Sequence, residues 1–150
     1  AALESKGLSP RVYLLSSLLS QPLFKAPAPF DRRILIAYPT LSSDITPSGR
    51  EEYQSLVETY SLPREHVQAQ LAALAAAKLL IEGLRRAGRD LSRVRLIEGI
   101  EELFGFETGV TPALSYGPNR RIGARGAHII EVDLANKRYA PIGDGWYELR

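Results

Sequence analysis

Ser16 and Ser17 close a short apolar run, RVYLLSS at residues 11–17. A serine hydroxyl becomes a nucleophile only beside a general base. No His or other base stands near this pair in sequence. Glu101 and Glu102 are adjacent. Neighbours on a helix point in different directions, so they cannot converge on one proton and read as a solvated face. Asp31 and Asp44 fall in loop-like sequence. The two histidines, His66 and His128, are far apart and lack metal-ligand spacing. With no cysteine in the chain, thiolate metal sites and disulfides are excluded. Gly105, Gly109, Gly117, Gly123 and Gly126 follow no phosphate-loop spacing. The run at 123–126 precedes a strand rather than joining a strand to a helix. These residues predict no catalytic residues, no metal and no cofactor.

The bulk properties are those of an ordinary globular chain. It is 45% hydrophobic and 24% charged, with a net charge of +2. The densest basic cluster is Arg85, Arg86, Arg89, Arg93 and Arg95. No aromatic residue lies between Tyr60 and Phe104 to interleave with it. Single-stranded nucleic acid is gripped by basic grooves with stacking aromatics. The cluster therefore reads as a solvated helix end, with arginines near the negative pole of the helix dipole. No apolar run is read as long enough to cross a bilayer, and no signal peptide opens the chain. There is no methionine, and residue 1 is Ala. The expectation is a processed or excised chain, or one part of a gene product.

The elements that must position any site can be read in order. Residues 11–17 predict a buried strand, and 21–30 (QPLFKAPAPF), with three prolines, a loop. Residues 33–38 (RILIAY) predict a second buried strand, stopped by Pro39. Ser48 as N-cap with Glu51 three residues on predicts a capping box and a helix to about Tyr60. Ser61-Leu-Pro63 breaks it. A long helix follows from about Arg64 to Ala87, stopped by Gly88, with His66 in its first turn. A third helix is predicted over 92–103, with Val94, Ile97, Ile100 and Glu101 near one face. Short strands follow at 114–116, 127–133 and 139–142, separated by turns at 117–119 and 134–137. The order predicts an α/β fold with an antiparallel finish.

One stretch of the long helix poses a packing problem. Residues 71–84, LAALAAAKLLIEGL, contain only Lys78 and Glu82 as charges. Leu71, Leu74, Leu79, Leu80, Ile81 and Leu84 do not fit on one stripe. Two strands cannot enclose such a helix. Something else is expected to pack on it, either a part of the protein outside this chain or a second chain.

In order and spacing the chain resembles the C-terminal part of the type I periplasmic substrate-binding proteins. That family includes the leucine/isoleucine/valine- and amide-binding proteins of ABC importers. Four passages carry the likeness: RVYLLSS; RRILIAYPT followed by SGREEYQSLVETY; AALAAAKLLIEGLRRAG; and FETGVTPALSYGPNRRIGARGAHIIEVDLANKRYAPI. They cover almost the whole chain but only the later part of the family's architecture. The resemblance implies a partial fold of that type. Residues 1–37 would belong to one lobe, 38–112 to the crossover and helices of the other, and 113–150 to closing strands with a C-terminal hairpin. It implies a small polar or amino-acid-like ligand held between lobes, a membrane permease as partner, and a periplasmic or extracellular location. The absent N-terminal lobe would cover the 64–88 helix. Carried over by position, Ser16, Ser17, Tyr38 and Thr40 would be ligand contacts. As plain sequence, Ser16 and Ser17 equally suit a strand-end turn, and Tyr38 a core or hinge position.

The chain departs from the family at two places. Leu74 stands where many members have Tyr, and no acidic residue follows the first strand to pair a ligand ammonium. Two other functions fit the same residues: a sensing or interaction module of this fold without a transport role, and a stand-alone α/β domain that dimerises through the apolar helix.

Overall fold

The computed structural model describes residues 4–148. It is a mixed α/β structure of two compact units. One comprises residues 1–39 with 126–150, and the other residues 40–125. Residues 113–125 thus group with the helices, and the chain re-enters the sheet unit at Gly126.

The first unit is a four-stranded sheet. Its strands are β1 (Val12–Leu15), β2 (Ile34–Tyr38), β3 (Gly126–Asp133) and β4 (Arg138–Glu148), in that spatial order. β1 and β2 are parallel, while β2–β3 and β3–β4 are antiparallel. Alternation puts Ile34, Ile36, Ile130 and Val132 on one face, where all four are buried. The proline-rich connection folds over that face as short 3₁₀ turns, Gln21–Lys25 and Ala28–Phe30. Phe30 is buried. Phe24 stacks on Tyr139 at 4.8 Å, and the Tyr139 hydroxyl donates to the Ser20 carbonyl at 3.0 Å. β1 was expected to be buried. Its alternate residues Tyr13 and Leu15 are instead 69% and 66% exposed, because β1 lies at the edge of the sheet.

The β3–β4 turn is locked by Asp133, which is only 1% exposed. Its carboxylate accepts from the Asn136 backbone N–H at 3.0 Å, the Asn136 side-chain amide at 2.8 Å and Arg138 Nε at 3.1 Å. Asp31 Oδ1 accepts from Leu134 N at 2.7 Å beside it. The hydrogen bonds from Asn136, then the bond from Arg138 and the charge of Arg32, hold the Asp133 carboxyl at about 2, below its ordinary 3.8, against the opposing effect of burial. A carboxylate depressed in the folded state stabilises the fold fully above its unfolded pKa. That contribution is lost as pH falls through the folded value. The sheet unit is therefore expected to lose thermal stability between about pH 4 and about pH 2. Melting followed by the fluorescence of Trp146, the single tryptophan, checks this. An Asp133→Asn variant should lose the dependence in that window.

The second unit contains α1 (Pro47–Tyr60), α2 (Val67–Ala87) and α3 (Arg93–Glu101). Its core is Leu71, Ala75 and Val110, with Ile45, Tyr53 and Leu74 packed around them. α1 begins earlier than expected. Thr46, not Ser48, is the N-cap, accepting from Gly49 N at 3.0 Å, with Pro47 in the first turn. α2 begins later, at Val67. Gln70 donates to the Pro63 and Glu65 carbonyls at 2.8 and 3.0 Å, holding the preceding residues out of the helix. Gly88, at φ 72°, ends α2 as expected. Ser92 caps α3 through Arg95 N. In α3 Gly99 is buried, Leu96 and Ile100 are half-buried, and Val94 and Ile97 face outward; Leu103, just beyond the helix, is buried. The expected strand at 114–116 is reduced to isolated bridges, Phe106 with Leu114 and Gly117 with Arg120.

Within this unit α2 is poorly covered. Leu80, Ile81 and Leu84 are 48%, 64% and 37% exposed. The helix is, against the sequence expectation, long and apolar enough to cross a bilayer by length and composition, a test that the core helix of a soluble protein also passes.

Candidate functional site

The ends of the two parallel strands bring the first three predicted contacts together. Leu15 pairs with Ala37, so the next residues along, Ser16 and Tyr38, are neighbours at one edge. This edge is the carboxyl end of both strands, where open α/β sheets present their ligands. Ser16 and Ser17 sit in a 3₁₀ turn, Ser16–Leu18, that caps β1 with no side-chain bond of its own. Ser16 is half-buried and Ser17 exposed. Their hydroxyls make no hydrogen bond to the described residues, which leaves both as donor and acceptor toward solvent or a ligand.

Two further residues join them that the sequence did not single out as contacts. β2–β3 register sets His128 directly opposite Tyr38. Directly opposed residues on antiparallel strands share a face, here the face that also carries Ile36 and Ile130. His128 is buried. The Trp146 indole meets its ring edge-on, with centroids 5.3 Å apart. Gly126 is required beside that indole: a Cβ there would lie 2.6 Å from Trp146 Nε1 and 2.3 Å from the Tyr147 carbonyl. His128 was read only as a histidine without ligand spacing. Its partner Tyr38 is 90 positions away in the chain, and no local signal joins them.

Thr40 is the first residue of the helical unit and is buried there. Glu101 does not lie on a solvated face. It pairs with Arg121 and is half-buried, tying the 117–123 loop to α3. Arg85 and Arg86 behave as a helix end, both pairing with Glu82. His66 precedes α2 at φ 58° rather than lying in its first turn. Among the described residues, no group of three or more His, Asp or Glu is placed to hold a metal.

The strand-end cluster therefore offers two hydroxyls, a phenol, an imidazole and an indole. Chemically these are hydrogen-bonding and stacking groups, suited to gripping a small polar molecule. Searches of family models, of curated proteins and of solved structures return no match to this chain.

Proposed function

We propose that the chain is the C-terminal part of an extracytoplasmic solute-binding protein of an ABC importer. It would hold a small polar or amino-acid-like ligand at the carboxyl ends of its parallel strands. The observation that carries this reading is the convergence of Ser16, Ser17, Tyr38 and His128 at one sheet edge, with unengaged serine hydroxyls. The order of elements, strand, crossover, strand, three helices and closing hairpin, supports it as well. The uncovered face of α2 is where the N-terminal lobe would pack, and a membrane permease would receive the ligand.

A second reading rests on that same α2 face. Leu80, Ile81 and Leu84 are apolar and accessible, so a second chain could cover them instead. This is the dimerising α/β domain, and it predicts a dimer of the 150-residue chain in sedimentation.

Trp146 supplies the assay for the first reading. Titration with L-leucine, L-glutamine and acetamide should change Trp146 emission for at least one of them, because the indole abuts His128. Ser16→Ala and Ser17→Ala should each weaken that ligand about fivefold, the worth of one neutral hydrogen bond. Unchanged affinity in both variants would move the ligand away from the strand ends. No response to any of the three would count against amino-acid-like and amide ligands.

A further inference from the structure

The helical unit carries a cleft of about 590 Å³, lined by Tyr53, Gln54, Val57, Glu58, Pro63, Arg64 and Val67. That size lies within the range of small-molecule sites. Its walls divide by chemistry. Tyr53, Val57, Pro63 and Val67 supply apolar surface, while Glu58 and Arg64 supply one charge of each sign. Both charged residues are exposed, and neither makes an ion pair with another described residue. Some opposite charges in this unit do pair, as Lys78 with Glu52 at 2.6 Å and Arg86 with Glu82 at 2.8 Å, while others, such as Glu51 and Arg93, do not. At this cleft they stay apart.

The cleft is also held in shape. The Gln70 side chain ties two of its lining residues together, accepting from the Tyr53 hydroxyl at 2.7 Å and donating to the Pro63 carbonyl, and also to that of Glu65. One amide thereby fixes a wall residue of α1 and the connection that carries Arg64. The connection is bounded by two left-handed residues that are not glycine, Ser61 at φ 50° and His66 at φ 58°. Each costs roughly 1 kcal/mol or more and persists only where its surroundings over-determine it. A wall that is already ordered spares a ligand the entropy of ordering it.

We propose that this cleft binds a short zwitterionic peptide with apolar side chains. The ammonium pairs with Glu58, the carboxylate with Arg64, and the apolar body lies on Val57, Pro63 and Val67. Burial of the side chains supplies the affinity, and the two unpaired charges set the direction of binding.

The test uses the dipeptide Leu-Leu with its N-acetylated and C-amidated forms, titrated into the ¹⁵N-labelled chain to about 10 mM, tenfold above a Kd of about 1 mM. Leu-Leu should shift the backbone amides of residues 53–67, and each blocked form should bind about tenfold more weakly, one charged contact having been lost. Glu58→Gln should weaken Leu-Leu but leave the N-acetylated form unchanged. Arg64→Gln should weaken Leu-Leu but leave the C-amidated form unchanged. Both side chains are exposed, so neither variant endangers folding. Equal binding of all three peptides, or no shift within 53–67, overturns the proposal. The readout lies in residues other than Trp146, so its failure is distinct from failure at the strand ends.

Discussion

Valine in place of Gly49 is expected to destabilise the helical unit by about 3 kcal/mol or more. Gly49 sits in the first turn of α1 and is buried. A Cβ there would stand 2.0 Å from the Gly109 carbonyl oxygen and 2.5 Å from its carbon. The obstacle is backbone, so no rotamer change relieves it. The Gly109 carbonyl is also held in place, accepting from Thr46 N at 3.0 Å and from the Thr46 hydroxyl at 3.3 Å. Moving it breaks the junction that caps α1 and displaces Val110, a core residue that is fully buried. Alanine at 49 would gain about 1 kcal/mol of helix propensity. The same clash outweighs that gain, so Gly49→Ala should also destabilise. Urea unfolding followed by far-UV circular dichroism reads this directly, since all three α-helices belong to this unit. Gly145, with open space around it, is the control, and Gly145→Ala should shift the midpoint little. An unchanged midpoint in Gly49→Val would mean that α1 does not meet the 109 loop this closely.

The second large effect is expected at the crossing of α2 and α3. A Cβ at Gly99 would lie 3.0 Å from both Arg86 Cβ and the Gly83 carbonyl. A Cβ at Gly83 would lie 2.7 Å from Ile100 Cγ1. The two glycines thus let the helices approach until one backbone touches the other. Gly99→Val adds three carbons against a fixed carbonyl and should cost about 2 kcal/mol. Gly83→Ala meets side chain rather than backbone, but its nearest contact is Ile100 Cγ1, next to the stiff branch point, so Ile100 must shift, while Leu96 Cδ1 at 3.1 Å can give way. Its propensity gain of about 1 kcal/mol offsets part of that strain, so it should cost less than Gly99→Val. The contrast between the two, measured as urea midpoints, separates tight backbone contact from ordinary side-chain packing. Equal effects would contradict the described crossing.

The same division between local and distant causes runs through the candidate site. Ser16 and Ser17 were legible because a strand that ends in small hydroxyl residues announces its own boundary. Tyr38 was legible because Pro39 terminates β2 immediately after it. His128 and Trp146 were not. Their relation to Tyr38 is created by strand register, which a residue's neighbours in sequence do not encode. Thr40, two positions from Tyr38, was carried over with it by the resemblance, the two flanking the crossover. The structure assigns it to the other unit, because the chain leaves the sheet at Pro39.

What the sequence determined by itself was whatever depends on a few adjacent residues. The β-branched run of β2, the stop of α2 at Gly88, the cap of α3 at Ser92 and the turn at 134–137 all follow from local sterics and hydrogen bonding. Tertiary structure decided the rest. α1 starts from Thr46 rather than Ser48 because its first turn must dock on Gly109. α2 starts at Val67 rather than Arg64 because Gln70 binds the preceding carbonyls. Glu101 is paired rather than solvated because a loop 20 residues later brings Arg121 to it. The apolar circumference of α2 was visible in its sequence. Which of its faces is buried depended on where α1, α3 and Val110 pack, and packing partners far along the chain are what a local pattern omits.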